Sequence, residues 1–187
     1  MMERNEIKSK VHAILVRAIY YNQTLCIYGM KTSTKILISG SLLFGGWLYF
    51  NRNPGRVIPP GNNIVSPADG TITSIKDNRI DIFIGLFDVH YQRSPYSGII
   101  IESESTPSYN RLEIVSDIGF IIVERWGGIL ARSVRTFVTK WSEVTKGQII
   151  GRILLGSHAS ITLPAHVIIS AKVGDHVLAG ETIIANL

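Results

Sequence analysis

Ser157, His90 and Asp69 supply a hydroxyl, an imidazole and a carboxylate, the groups from which a protein can build an activated nucleophile. A serine hydroxyl ionises far above neutral pH, so it needs a base, and the base needs an acid to orient it. The carbonyl nearest to Ser157 in the chain is that of Gly156. A glycine leaves its carbonyl exposed and tolerates a strained backbone. The chemistry these residues permit is therefore attack by Ser157 on its own chain, at the Gly156–Ser157 bond.

The three groups lie in short segments far apart in sequence. In Val65-Ser66-Pro67-Ala68-Asp69-Gly70, proline stiffens the approach and glycine permits a turn, so that Asp69 is presented between them. In Phe87-Asp88-Val89-His90-Tyr91-Gln92-Arg93-Ser94-Pro95, extended alternation puts Asp88, His90 and Gln92 on one face, with Val89 and Tyr91 on the other. In Leu154-Leu155-Gly156-Ser157-His158, an apolar strand runs into a Gly-Ser turn. Each segment alone reads as ordinary structure; the three together make a site.

The elements that must position them are short strands. Asn51 to Arg56 and Pro59 to Asn63 are turn and linker chemistry. From there β-branched runs alternate with Gly, Asp and Asn: Thr71–Ile75, Arg79–Ile84, Gly98–Ile101, Leu112–Val115 and Gly119–Val123. This spacing predicts a mainly β domain over 51–187, a β-sandwich or barrel-sandwich, and no long helical pattern separates the runs as a parallel sheet would require. A weak repeat relates Val144-Thr145-Lys146-Gly147-Gln148-Ile149-Ile150 to Val177-Leu178-Ala179-Gly180-Glu181-Thr182-Ile183. It predicts hairpins like those of lipoyl- and biotinyl-type domains. Such carriers need a lysine at a hairpin tip, and the corresponding turn, Leu163-Pro164-Ala165-His166, has none.

Residues 1–50 differ in texture. Apolar residues recur at helical spacing at Val11, Ile14, Leu15, Ala18 and Ile19, and Ile36 to Phe50 carries no charge, with Trp47 and Tyr49 near its end. The run is shorter than the ~20 residues of a comfortable membrane span. It predicts a membrane-associating helical segment, lying on or crossing the bilayer, and it starts too late for a signal peptide. The net charge of +5 comes with Arg4, Lys8, Lys10, Arg17, Lys31 and Lys35 spread among apolar residues. Without a stacking platform or zinc-ligand spacing this excludes nucleic acid as the expected partner and predicts no metal site. The single cysteine, Cys26, excludes an internal disulfide and reads as a small apolar side chain.

These motifs, in order, resemble the phosphatidylserine decarboxylase family, especially its short form, which includes the archaetidylserine decarboxylases. The likeness runs through Tyr49-Phe50-Asn51-Arg52-Asn53-Pro54, Ser66-Pro67-Ala68-Asp69-Gly70, Asp88 to Pro95, Gly128-Ile129-Leu130-Ala131-Arg132, Leu155-Gly156-Ser157 and Val173 to Thr182. It implies that Ser157 attacks the Gly156 carbonyl to give an ester. Elimination then releases a C-terminal Gly156, and the residual dehydroalanine hydrolyses to a pyruvoyl group. The products would be a β chain of residues 1–156 and an α chain of residues 157–187.

The resemblance further implies His90 as base, Asp69 as its orienting acid, and a pyruvoyl cofactor derived from Ser157 that removes CO2 from a serine phospholipid. Arg93 and Arg111 are its candidate phosphate partners, since guanidinium binds phosphate in bidentate fashion. The implied partners are the phospholipid, the membrane surface at the cytoplasmic face of the cell membrane, and the two chains of one precursor; a homodimer is compatible. One departure stands out: the stretch from Ile101 to Tyr109 is shorter than the family's and polar. It motivates an alternative, a lipid-binding relative without catalysis.

Overall fold

The computed structural model describes residues 31–127, 133–154 and 157–187. The chain divides into two units, residues 1–49 and 50–187. Helix α1 spans Thr32–Phe50, all but its last residue in the first unit. The uncharged run is thus helical as expected, while the first apolar stretch, residues 11–19, and Cys26 lie outside the described residues. Ile36, Leu37, Leu42, Leu43, Phe44 and Trp47 of α1 are all exposed, so its apolar side chains are not confined to one stripe. At 1.5 Å per residue its length approaches that of a bilayer core. Ser33, Ser39, Gly40, Ser41, Gly45 and Gly46 dilute it, however, and no helix among the described residues is long and apolar enough to cross a membrane.

The second unit is mainly β, as the alternation predicts. Its strands are β1 (Asn63–Val65), β2 (Gly70–Lys76), β3 (Arg79–Ile84), β4 (Tyr91–Arg93), β5 (Gly98–Thr106), β6 (Tyr109–Ser116), β7 (Gly119–Trp126) and β8 (Ser133–Thr136). They continue as β9 (Glu143–Val144), β10 (Ile149–Leu154), β11 (Ser157–Thr162), β12 (Ile168–Ile169), β13 (His176–Val177) and β14 (Ile183–Asn186). The large sheet runs β13-β2-β3-β11-β7-β6-β5-β9, and two small sheets run β1-β14-β12 and β4-β10-β8. Ile72, Ile82, Ile100, Leu112, Ile114, Ile121, Val123, Ile150, Ile153 and Ile161 are among the core residues. The short stretch after Gly98 is no open loop: it forms the β5–β6 hairpin, paired to its tip at Thr106 and Tyr109.

The repeat is real in the turns and not in the pairing. Gly147 and Gly180 have φ of 80° and 78°, the left-handed region that favours glycine. Gln148 Oε1 accepts from the Thr145 amide, and Thr182 Oγ1 accepts from the Leu178 amide, so a side chain closes each turn. The flanking strands do not form hairpins, which corrects the lipoyl-like expectation. β9 pairs with β5 while β10 joins β4 and β8; β13 pairs with β2 while β14 joins β1 and β12. Each turn passes the chain from one sheet to another, so its strands have no ladder to share.

A cut between residues 156 and 157 would fall where the chain crosses from β10, central in one small sheet, to β11, central in the large one. β11 pairs with β3 and β7, β13 with β2, and β14 with β1. Its inward residues Ala159, Ile161, Val177, Ile184 and Ala185 are buried. At roughly 1.5–3 kcal/mol per buried aliphatic side chain, residues 157–187 should stay bound after cleavage. The two fragments are expected to co-elute in native gel filtration and to separate only in denaturant.

Candidate active site

His90 is built into place by its own segment. Gly85 and Asp88 form a tight turn, the Asp88 amide donating to the Gly85 carbonyl at 3.2 Å and the Gly85 amide to Asp88 Oδ2 at 2.8 Å. Two residues on, His90 Nδ1 lies 2.8 Å from the Asp88 carbonyl. A carbonyl only accepts, so Nδ1 carries the hydrogen and Nε2 keeps its lone pair. His90 is fully buried with its ring centroid 4.2 Å from that of Phe50, and Nε2 has no hydrogen-bond partner. Burial lowers its pKa; the Asp88 carbonyl opposes this, while Arg152 and Arg52 reinforce it. The result is a neutral imidazole with an unused basic nitrogen.

The strands on either side of the 155–156 connection border the segment that carries this ring. The Ile153 amide donates to the His90 carbonyl at 3.0 Å, and Ser157 is registered against Ile84 in β3. Both ends of the 155–156 connection thus border the segment 84–90. Leu155 and Gly156 lie outside the described residues. Ser157 opens β11, and its backbone position is what the fold defines.

Asp69 sits elsewhere in the network. Its carboxylate accepts two hydrogen bonds from Arg56 Nη2, at 2.9 and 2.6 Å, and a third from the Ala179 amide at 2.8 Å. Arg56 also reaches Glu181 Oε2 at 3.2 Å, and Glu181 Oε1 accepts from the Val57 amide. No hydrogen bond joins Asp69 to His90 in this structure: the group on Nδ1 is the Asp88 carbonyl. Arg56 and Asp69 are both almost fully buried, and breaking a buried pair strands the remaining charge. Arg56→Ala should therefore lower stability by about 3–5 kcal/mol, read as a fall in the urea midpoint. Arg56→Lys should recover only part of that loss, because it cannot reproduce the guanidinium's paired contacts.

The two expected phosphate partners are engaged. Arg93 donates to the Gly147 carbonyl at 2.8 Å and to Asn53 Oδ1 at 3.1 Å, clamping the repeat turn to the linker. Arg111, on β6, pairs with Glu102 and Glu113 at 3.0 and 3.1 Å. The predicted alternation around His90 holds for His90 and Gln92, both buried, but Val89 is buried as well, because the ladder of β4 begins only at Tyr91. Among the described residues no cluster of histidine, cysteine or carboxylate side chains could hold a metal ion.

Sequence reading missed three arginines. Arg56 lay in what read as a linker. Arg152 follows a glycine in an apolar strand, and Arg125 shares the inward parity of Ile121 and Val123 on β7. That parity was the available signal for Arg125. It is fully buried, bonded to Asn110 and to Thr136 Oγ1, with Nη1 unpartnered, and burial pushes its pKa down to about 9.

The chain as a whole is also similar to known proteins. The chain matches the phosphatidylserine decarboxylase family over residues 46–112 and 106–185, and it belongs to that family. It is 35% identical over 160 residues to an Archaeoglobus fulgidus protein named, provisionally, archaetidylserine decarboxylase proenzyme, covering 76% of this chain and 81% of the relative. It is 36% identical over 169 residues to a phosphatidylserine decarboxylase proenzyme of Ehrlichia ruminantium, covering 75% and 74% of the two chains. A phosphatidylserine decarboxylase proenzyme of Streptomyces coelicolor is 31% identical over 170 residues, covering 81% and 78%. No solved structure matches the chain.

Proposed function

We propose that this chain is a proenzyme that cuts itself at Gly156–Ser157 and then decarboxylates a serine phospholipid, with ester- or ether-linked tails, to the ethanolamine phospholipid and CO2. The observation that carries this reading is the buried His90 Nε2, an unpaired basic nitrogen on the segment 84–90 that borders the strands flanking the 155–156 connection.

In processing, His90 Nε2 takes the Ser157 hydroxyl proton as the oxygen attacks the Gly156 carbonyl carbon. The proton passes to the departing Ser157 nitrogen, and the amide becomes an ester. Loss of the Ser157 α-proton then expels the Gly156 carboxylate. Water replaces the nitrogen, ammonia leaves, and residue 157 ends as a pyruvoyl group. That group supplies an electrophilic ketone for the headgroup amine and a sink for the electron pair left by CO2. His90 returns a proton to the carbon that lost CO2. Burial keeps its ring neutral, and the Asp88 carbonyl keeps Nε2 as the working nitrogen. Asp69 acts at a distance, its pairing with Arg56 and the Ala179 amide holding the C-terminal motif against the linker.

Helix α1, uncharged after Lys35 and exposing apolar side chains along its length, attaches the enzyme to the bilayer that holds its substrate. The test incubates purified protein with vesicles containing a serine phospholipid and follows fragments and CO2 together. Two fragments, a blocked N-terminus on the smaller and CO2 release support the reading. Cleavage without CO2 release would leave a lipid-binding relative, and an intact chain would reject both steps.

A further inference from the structure

Resting on that reading, we infer that Arg152 and Arg135 form the subsite that holds the phosphodiester of the headgroup. In the small sheet Arg152 on β10 stands directly opposite Tyr91 on β4 on one side and Arg135 on β8 on the other. Directly paired residues share a face, so two guanidinium side chains lie side by side on this sheet. Like charges in that position repel unless an anion lies between them. Neither arginine pairs with a carboxylate among the described residues, whereas Arg56, Arg79 and Arg111 all do.

Arg152 is held ready. Its guanidinium carbon lies 5.2 Å from the Tyr91 ring centroid, its Nη2 donates to Asn51 Oδ1, and its buried Nε has no acceptor. Asn51 follows Phe50, whose ring packs on His90, so this cation stands beside the catalytic imidazole, where its charge is felt. Arg135 is exposed and open to a ligand arriving from solvent.

The headgroup carries two anions, and the chemistry selects one. A cation clamped on the carboxylate would stabilise the charge that decarboxylation must discharge, and so raise the barrier. The phosphodiester keeps its charge throughout, so binding it lowers KM without opposing the chemical step. Arg93 and Arg111, spent on carbonyls and glutamates, are not free to do this.

The experiment compares the processed wild type with Arg152→Gln, Arg135→Gln and, for charge loss outside this sheet, Lys76→Gln. The substrate is a serine phospholipid with six-carbon tails, kept monomeric. Each arginine variant should raise KM at least tenfold with kcat within about threefold, and Lys76→Gln should change neither. Glycerophosphoethanolamine, titrated calorimetrically without turnover, should bind each arginine variant at least tenfold more weakly. Arg135 is exposed, so Arg135→Gln is not expected to disturb folding, and Arg152→Lys, which keeps the charge, should recover part of the loss. Unchanged KM and unchanged binding would overturn the inference. So would a defect seen on anionic vesicles and absent with the monomeric lipid, which would make the pair a contact to bilayer phosphates. A wild type that releases no CO2 defeats the underlying reading instead, and the glycerophosphoethanolamine titration still decides the subsite.

Discussion

Ser157→Ala should yield a single full-length chain that never divides and releases no CO2 from any serine phospholipid. Alanine has no nucleophile, so the amide at residue 156 cannot become an ester, and residue 157 cannot become a ketone. The expected loss is complete, because both activities pass through one side chain. Folding should be untouched. Residue 157 begins β11, whose register against Ile84 is set by the backbone ladder and by the buried Ala159 and Ile161 further along. The discriminating measurement is an intact mass beside a thermal melt. An uncut variant melting with the unprocessed wild type supports the assignment, and a variant still cut between 156 and 157 refutes it. Ser157→Cys sharpens the test. A thiol is a better nucleophile at neutral pH, so slow cleavage should persist while the ketone forms poorly.

The longer strands were legible because their cause is local. Arg79–Ile84 and Gly119–Trp126 alternate buried residues with half-buried or exposed ones along nearly their whole length, and that periodicity is in the sequence. The partners were not legible. Val144 to Ile150 and Val177 to Ile183 read as hairpins because a turn glycine between two apolar runs is usually a hairpin, and here each turn switches sheets instead. Which strand receives β10 depends on Tyr91 and Ser133, more than fifteen residues away, and nothing in the repeat encodes that.

The site divides the same way. Asp88-Val89-His90 was legible as a unit, and its internal geometry proved local: a turn, then a ring bonded two residues back. The partner of Asp69 was not, because Arg56 arrives from the linker and the Ala179 amide from the far end of the chain. An acid and a base in separate motifs suggested a direct pair. The fold instead gives the acid an arginine and the base a backbone carbonyl. The partners of the arginines were hidden for a related reason. Whether a guanidinium is free is a property of its neighbours in space, and Arg111 is neutralised by glutamates on its own and the adjacent strand.

His90→Ala should slow self-cleavage by roughly 10²–10⁴-fold, the usual contribution of a positioned general base. The pH dependence separates this role from a packing role. Burial, Arg152 and Arg52 all lower the pKa of His90 below 6.5. Nε2 is therefore already free of a proton where an ordinary histidine would be half charged. Wild-type processing should be flat from neutral pH down past 6.5 and should fall only as pH passes below the lowered value. Stability follows with the same sign: a histidine buried neutral contributes fully above its unfolded pKa, and the contribution is lost as pH falls through the folded one. Arg152→Gln removes one of the cations that hold the pKa down, so the acid limb of its processing profile should move to higher pH. Asp88→Asn offers a contrast. It keeps the backbone carbonyl on Nδ1 but removes a negative charge that raises the pKa, so its limb should move to lower pH. Opposite displacements in these two variants, read as precursor conversion on gels between about pH 5 and 8, would identify the titrating group as His90. A limb that ignores both substitutions would assign the proton transfer to another residue.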